Sequence, residues 1–175
     1  MRRKIVLALL IIITFLLQST LFKWLSIASI SPNLLLILTV SFGFMCGKKT
    51  GLFVGFLSGL MIDIFYGNLF GFNALIYMYI GFFNGFLYKV YYDEDIKVPL
   101  VLVAISDFAY GGLVYALQFM LRGRLNLAGY MRQIIFPELI YTVVITILLY
   151  RIFFKINKKL SDMEAKGQRS LWLRR

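Results

Sequence analysis

The sequence predicts an all-α, polytopic membrane protein of about six transmembrane helices. Three observations carry that expectation. Hydrophobic residues make up 61% of the 175 residues and charged residues only 15%, far from the roughly 45–50% and 25% of soluble domains. Apolar runs long enough to cross a ~30 Å hydrocarbon core, which takes about 20 helical residues, recur along almost the whole length. The basic residues sit at the ends of those runs, so the formal charge of +11 reads as a set of topology signals, and no nucleic-acid partner is expected.

The first span begins in "MRRKIVLALLIIITFLLQSTLF". Its apolar part runs over residues 5–22 without a small-x-small cleavage site, so it reads as a retained span rather than a secretory leader. The polar connection "KWLSIASISPN" follows, with Pro32 placed to open the next helix beside Asn33. The second span, "LLLILTVSFGFMCG", ends at a basic turn, "GKKTG", and the third is "GLFVGFLSGLMIDIFYG". A short uncharged turn around Gly67 and Asn68 leads to the fourth, "FGFNALIYMYIGFFNGFLYKVYY". The loop "DEDIKVP" precedes the fifth, "LVLVAISDFAYGGLVYALQFML", and "IIFPELIYTVVITILLYRIFF" makes the sixth. The chain thus divides into one transmembrane domain, residues 1–156, and a basic tail, residues 157–175, that is either a helical extension or a disordered end.

Lysine and arginine set the orientation. With the N-terminus inside, Arg2, Arg3, Lys4, Lys48, Lys49, Lys89, Lys97 and the C-terminal cations all fall on the cytoplasmic side, which places both termini in the cytoplasm. The exceptions are Lys23 and the arginines of the loop "RGRLNLAGYMR", Arg122, Arg124 and Arg132.

Enzyme chemistry finds little to work with. The chain has no histidine, hence neither the commonest general base nor the commonest transition-metal ligand, and its single cysteine, Cys46, excludes an internal disulfide or a multi-cysteine metal centre. Ser41, Ser58 and Ser106 lack a partner to activate a hydroxyl. "GKKT" has the end of a phosphate loop, but position 42, where its first glycine belongs, is Phe. The acids Asp93, Glu94 and Asp95 read as a solvated loop. No catalytic, cofactor or metal residues are expected.

Small and acidic residues inside the spans are the informative ones. Gly51, Gly55 and Gly59 recur every four residues and share one helical face, and Gly81 and Gly85 repeat that spacing in the fourth span. In lipid, such positions let two backbones approach closely, either within the bundle or against a partner helix. Asp63 continues the same stripe. A charge at mid-bilayer costs about 2.5–3.5 kcal/mol even on lenient insertion scales, so Asp63 is expected to face protein and to need a cation, a proton or donors. Asp107 falls about 14 Å into the fifth helix, and Glu138 follows Pro137 at the start of the sixth, where the helix dipole favours a carboxylate. The outer-loop arginines are the expected partners: Arg122, Arg124 or Arg132 folds toward Asp63 or Glu138.

The run "SPNLLLILTVSFGFMCG", "GLFVGFLSGLMIDIFYG", "GFNALIYMYIGFFNG" resembles the bacterial rod shape-determining protein MreD family in length, span count and motif order. Gly55-Phe56, Gly59-Leu60 and Asp63, then Gly71 and "NALIY", carry the resemblance most specifically, with Pro32-Asn33 opening the second span. It implies a non-enzymatic, multi-pass subunit of the cytoplasmic (inner) membrane that helps maintain rod shape and lateral peptidoglycan synthesis. The partners it implies are an MreC-like bitopic protein, an MreB-like filament protein and peptidoglycan synthases, and the fold it implies is similar to the substrate-binding subunits of energy-coupling-factor transporters. The residues themselves fit a scaffold that docks a partner helix on the glycine stripe, with Asp63 as its polar anchor. The alternative is a small-solute (vitamin-type) transport subunit with an outward cavity lined by Asn73, Asn84 and Asp107.

Overall fold

The computed structural model describes residues 2–20, 31–67, 69–90, 96–119 and 127–172. Every regular element among them is helical. They are α1 (Arg2–Ser19), α2 (Leu34–Cys46), α3 (Lys48–Tyr66), α4 (Phe72–Asn84), α5 (Lys97–Val114), α6 (Leu127–Tyr130) and α7 (Phe136–Trp172). A tight 3-10 stretch, Gly85–Val90, extends α4, and wide π-turns follow α5 at Tyr115–Phe119 and precede α7 at Met131–Ile135.

Helix α2 is the axis of the bundle. Leu34 through Met45 are all buried, as a helix apolar on every side must be, and α1, α3, α4, α5 and α7 all pack around it. Its interior hydroxyl at Thr39 donates to the Leu35 carbonyl at 2.8 Å, so it needs no outside partner. At 13 residues α2 is about 20 Å long, short of a ~30 Å core. Among the described residues three helical stretches are long and apolar enough to cross a membrane: Lys48–Tyr66, Lys97–Leu117 and Met131–Glu164. A count of six full-length spans is therefore not what the helix lengths show.

Several expected boundaries move, each for a local reason. The turn after α2 is Gly47 alone, at φ +86°, and Lys48, Lys49 and Thr50 already belong to α3, with the Lys48 ammonium 3.4 Å above the Phe86 ring. Pro32 does not open α2. Asn33 caps it, its side chain accepting from the Leu36 amide, and Pro32 lies one residue earlier. Nor does Pro137 follow a break, because the π-turn at Met131–Ile135 feeds directly into α7 and supplies the slack in backbone bonding that a proline requires. Helix α7 then runs past residue 156 without interruption, so the basic tail continues it to Trp172.

The closest backbone contact joins α3 to α4. A β-carbon on Gly51 would fall well inside 3.0 Å of the Gly81 carbonyl, one on Gly55 would strike the Tyr77 carbonyl, and one on Gly59 would lie 2.5 Å from Cα of Ala74. Gly43 of α2 joins the same crossing, with its missing β-carbon 2.7 Å from the Gly81 oxygen, while Gly85 backs onto Lys48. The stripe is thus covered by this chain's own α4.

Two alanine substitutions should act in opposite directions. Gly55→Ala forces backbone against backbone and should destabilise the purified chain by about 1–3 kcal/mol or more. Gly112→Ala meets nothing within 4 Å and should be neutral or stabilise by up to about 1 kcal/mol, both read from thermal unfolding in detergent.

Candidate functional site: a buried polar network beside a cavity

Asp63 is buried, with 4% of its surface exposed, near the last turn of α3. There the dipole of its own helix opposes a carboxylate, yet the chain turns back so that the first turn of α4 arrives against it. Its Oδ1 accepts from the Asn73 backbone N–H at 3.0 Å and from Asn73 Nδ2 at 2.9 Å, and its Oδ2 accepts from the Ala74 N–H at 2.9 Å. Gly71, the residue before α4, has no side chain to cap the helix. Asp63 therefore performs from the preceding helix the capping that a local Ser or Asp usually performs, and α4's dipole favours its charge.

Of the cation, proton or donors that Asp63 was expected to need, the described residues supply donors. Among the described residues the ion pair is Arg3 with Glu164, at 3.1 Å, and Asp63 makes none. Arg132 is exposed, and Arg122 and Arg124 lie outside the described residues.

From Asn73 the network spreads to α5, where the Tyr110 hydroxyl donates to Asn73 Oδ1 at 2.9 Å. A second hub is Asn33. Its Oδ1 accepts from the Tyr77 hydroxyl at 2.6 Å and its backbone N–H donates to Thr142 Oγ1 at 3.1 Å, so one residue ties α2 to α4 and α7. Asp107, 4% exposed, lies against Thr142 and Asn33, and its Oδ1 has no hydrogen-bond partner. Glu138 is close enough for its charge to interact with that of Asp107. The Tyr77 and Tyr110 rings meet edge to face, with centroids 5.2 Å apart.

These side chains border a cavity of about 590 Å³ at the end of the bundle where α1 and α3 finish and α2 and α4 begin. Its polar lining comes from Asn33, Tyr77, Tyr110 and Glu138 together with Gln18, Ser19 and Ser31, and Phe15, Ile62 and Tyr66 are its apolar part. The expected trio of Asn73, Asn84 and Asp107 does not line it. Asn73 is engaged by Asp63 and Tyr110, and Asn84 donates to the Ile80 carbonyl at 2.8 Å and to Ser106 Oγ at 2.9 Å.

Sequence reasoning did not find Tyr77, Tyr110 and Thr142, since tyrosine and threonine are common in spans and nothing in their spacing marks a bonding role. Arg3 was counted only as a topology charge. It donates to Glu164 Oε2 at 3.1 Å, to Asn157 Oδ1 at 2.9 Å and to Cys46 Sγ at 2.8 Å, joining α1, α2 and α7 at the far end.

Asp63→Ala should cost about 2–5 kcal/mol, because it leaves the amides that begin α4 buried without acceptors. Asp63→Asn, which keeps one oxygen, should cost less, and Arg132→Gln should stay within about 0.5 kcal/mol. Denaturation midpoints in detergent order the three, and an Arg132 effect as large as that of Asp63→Ala would show an ion pair at Arg132.

Comparison with known proteins gives one positive result. No curated protein matches the chain and no solved structure matches it, so the expected likeness to transporter subunits has no counterpart there. A family model does match, described as rod shape-determining protein MreD and aligned with residues 1–160, which takes in all of α1–α6 and most of α7, including Asn33, Asp63, Asp107 and Glu138. The chain belongs to the rod shape-determining protein MreD family.

Proposed function

We propose that the chain is a non-enzymatic, multi-pass scaffold of the bacterial elongation machinery, seated in the cytoplasmic membrane with both termini inside. In this reading it docks the single transmembrane helix of an MreC-like partner, and through that partner supports an MreB-like filament and peptidoglycan synthases. The observation that carries the reading is the family match over residues 1–160. A role in rod shape determination follows from the family, and the docking is our own step beyond it.

The docking face moves from where the glycine spacing alone would put it. Gly51, Gly55 and Gly59 are covered by α4, and Asp63 is bonded to it, so they build the scaffold rather than receive the partner. Uncovered small positions are found on α5. Ala109 and Gly112 are exposed beside Ile105 and Phe108, and Gly112 has open space where a β-carbon would point. In lipid, a flat patch of small residues flanked by larger apolar ones suits the close approach of another helix.

Complementation tests both layers in a rod-shaped bacterium whose own MreD-family gene is deleted. Expression of this chain should restore rods. Gly112→Phe should return cells to spheres at unchanged protein level and reduce recovery of the single-span partner at least tenfold. Rods that persist on deletion alone would count against the shape role, whereas rods and partner recovery intact with Gly112→Phe would remove only the proposed face.

A further inference from the structure

The cavity beside the polar network is built to accept hydrogen bonds. The Tyr77 hydroxyl already donates to Asn33, the Tyr110 hydroxyl to Asn73 and the Ser19 hydroxyl to the Leu16 carbonyl, so what these groups turn toward the space is lone pairs. The ionisable carboxyl in the wall, Glu138, receives no hydrogen bond or ion pair from any described residue. Behind Asn33 lies a second carboxyl, Asp107, with a buried oxygen that also has no partner. Gln18 is the exception in the lining, since its Oε1 accepts from the Leu35 N–H at 3.1 Å and its NH2 is left as a donor, but among the described lining residues two acids and these acceptors meet no positive charge. The same lining includes Phe15 and Tyr66, whose aromatic rings attract cations.

We propose that this cavity binds an organic cation bearing a primary ammonium group, with Glu138 as its counter-ion, the Tyr77 and Tyr110 hydroxyl oxygens as acceptors, and Phe15 and Tyr66 as the apolar wall. About 590 Å³ suits a small amine or an aminoalkyl headgroup, and lies within the range of small-molecule sites. The inference is independent of the docking face on α5, and either can fail without the other.

The full chain in nanodiscs of phosphatidylglycerol tests it by titration calorimetry with 2-phenylethylamine, its neutral match 2-phenylethanol and the anion 3-phenylpropionate. The amine should bind at least tenfold more tightly than the alcohol, and the anion more weakly still. Glu138→Gln should erase the amine's advantage and Glu138→Asp should retain most of it. Should Glu138→Gln not fold, the amine-to-alcohol ratio of the unaltered protein decides alone. Nanodiscs containing phosphatidylethanolamine separate the sources: loss of amine binding there identifies a lipid headgroup as occupant, and unchanged binding identifies a free amine. Equal binding of alcohol and amine would overturn the proposal. So would binding that appears only after Arg122→Gln and Arg124→Gln, since the chain's own guanidinium would then be the occupant.

Discussion

The structure depends on how closely α4 lies on α3. At Gly59 the absent β-carbon makes room for the Asn73 carbonyl and the Ala74 backbone, and one turn later Asp63 accepts the amide hydrogens of those same two residues. Close approach and hydrogen bonding are thus one constraint. A side chain at position 59 would lift the first turn of α4 away from the carboxylate, and without the carboxylate that turn would bury N–H groups with no acceptor. In a bilayer neither loss is recovered from solvent, because no water is present to replace the bonds and no hydrophobic drive presses one helix onto another.

The other polar contacts extend from that junction. Asn73 carries it to Tyr110 on α5, and Asn33 links α2 with Tyr77 on α4 and Thr142 on α7. At the opposite end Arg3 draws α1, the end of α2 and the continuation of α7 together. Between these two polar ends α2 is held mainly by apolar contacts, its twelve residues from Leu34 to Met45 all enclosed and the Leu35 N–H bonded to Gln18 Oε1 of α1 at 3.1 Å. The bundle is therefore pinned at both ends and filled in the middle. Such a frame holds a cavity open at one end and fixes the outer faces of the bundle.

Much of this was legible in the sequence where a residue type contradicts its surroundings. An aspartate inside an oily segment had to face protein, and glycines four apart had to mark a close approach. The membrane class and the family resemblance needed no coordinates. What stayed hidden were relations between distant positions. Asp63 was expected to meet an arginine because charge balance is visible in one dimension, whereas the amides of Asn73 and Ala74 become donors only when the loop at Gly67 and Gly71 folds α4 back. The setting of α2 was hidden for a related reason: a run apolar on all sides reads as lipid-exposed, but here protein covers every side of a 13-residue helix. The length of α7 was hidden as well, since a polar, basic tail is equally consistent with a disordered end.

Amide hydrogen exchange at Asn73 and Ala74, followed by mass spectrometry in lipid nanodiscs, bears most directly on the Asp63 cap. Bonded to the carboxylate as described, both amides should exchange at least a hundredfold more slowly than unstructured ones, and Asp63→Ala should abolish that protection while leaving the amides of α2 slow. Rapid exchange at both positions in the unaltered protein, or protection that survives the loss of the carboxylate, would contradict the account.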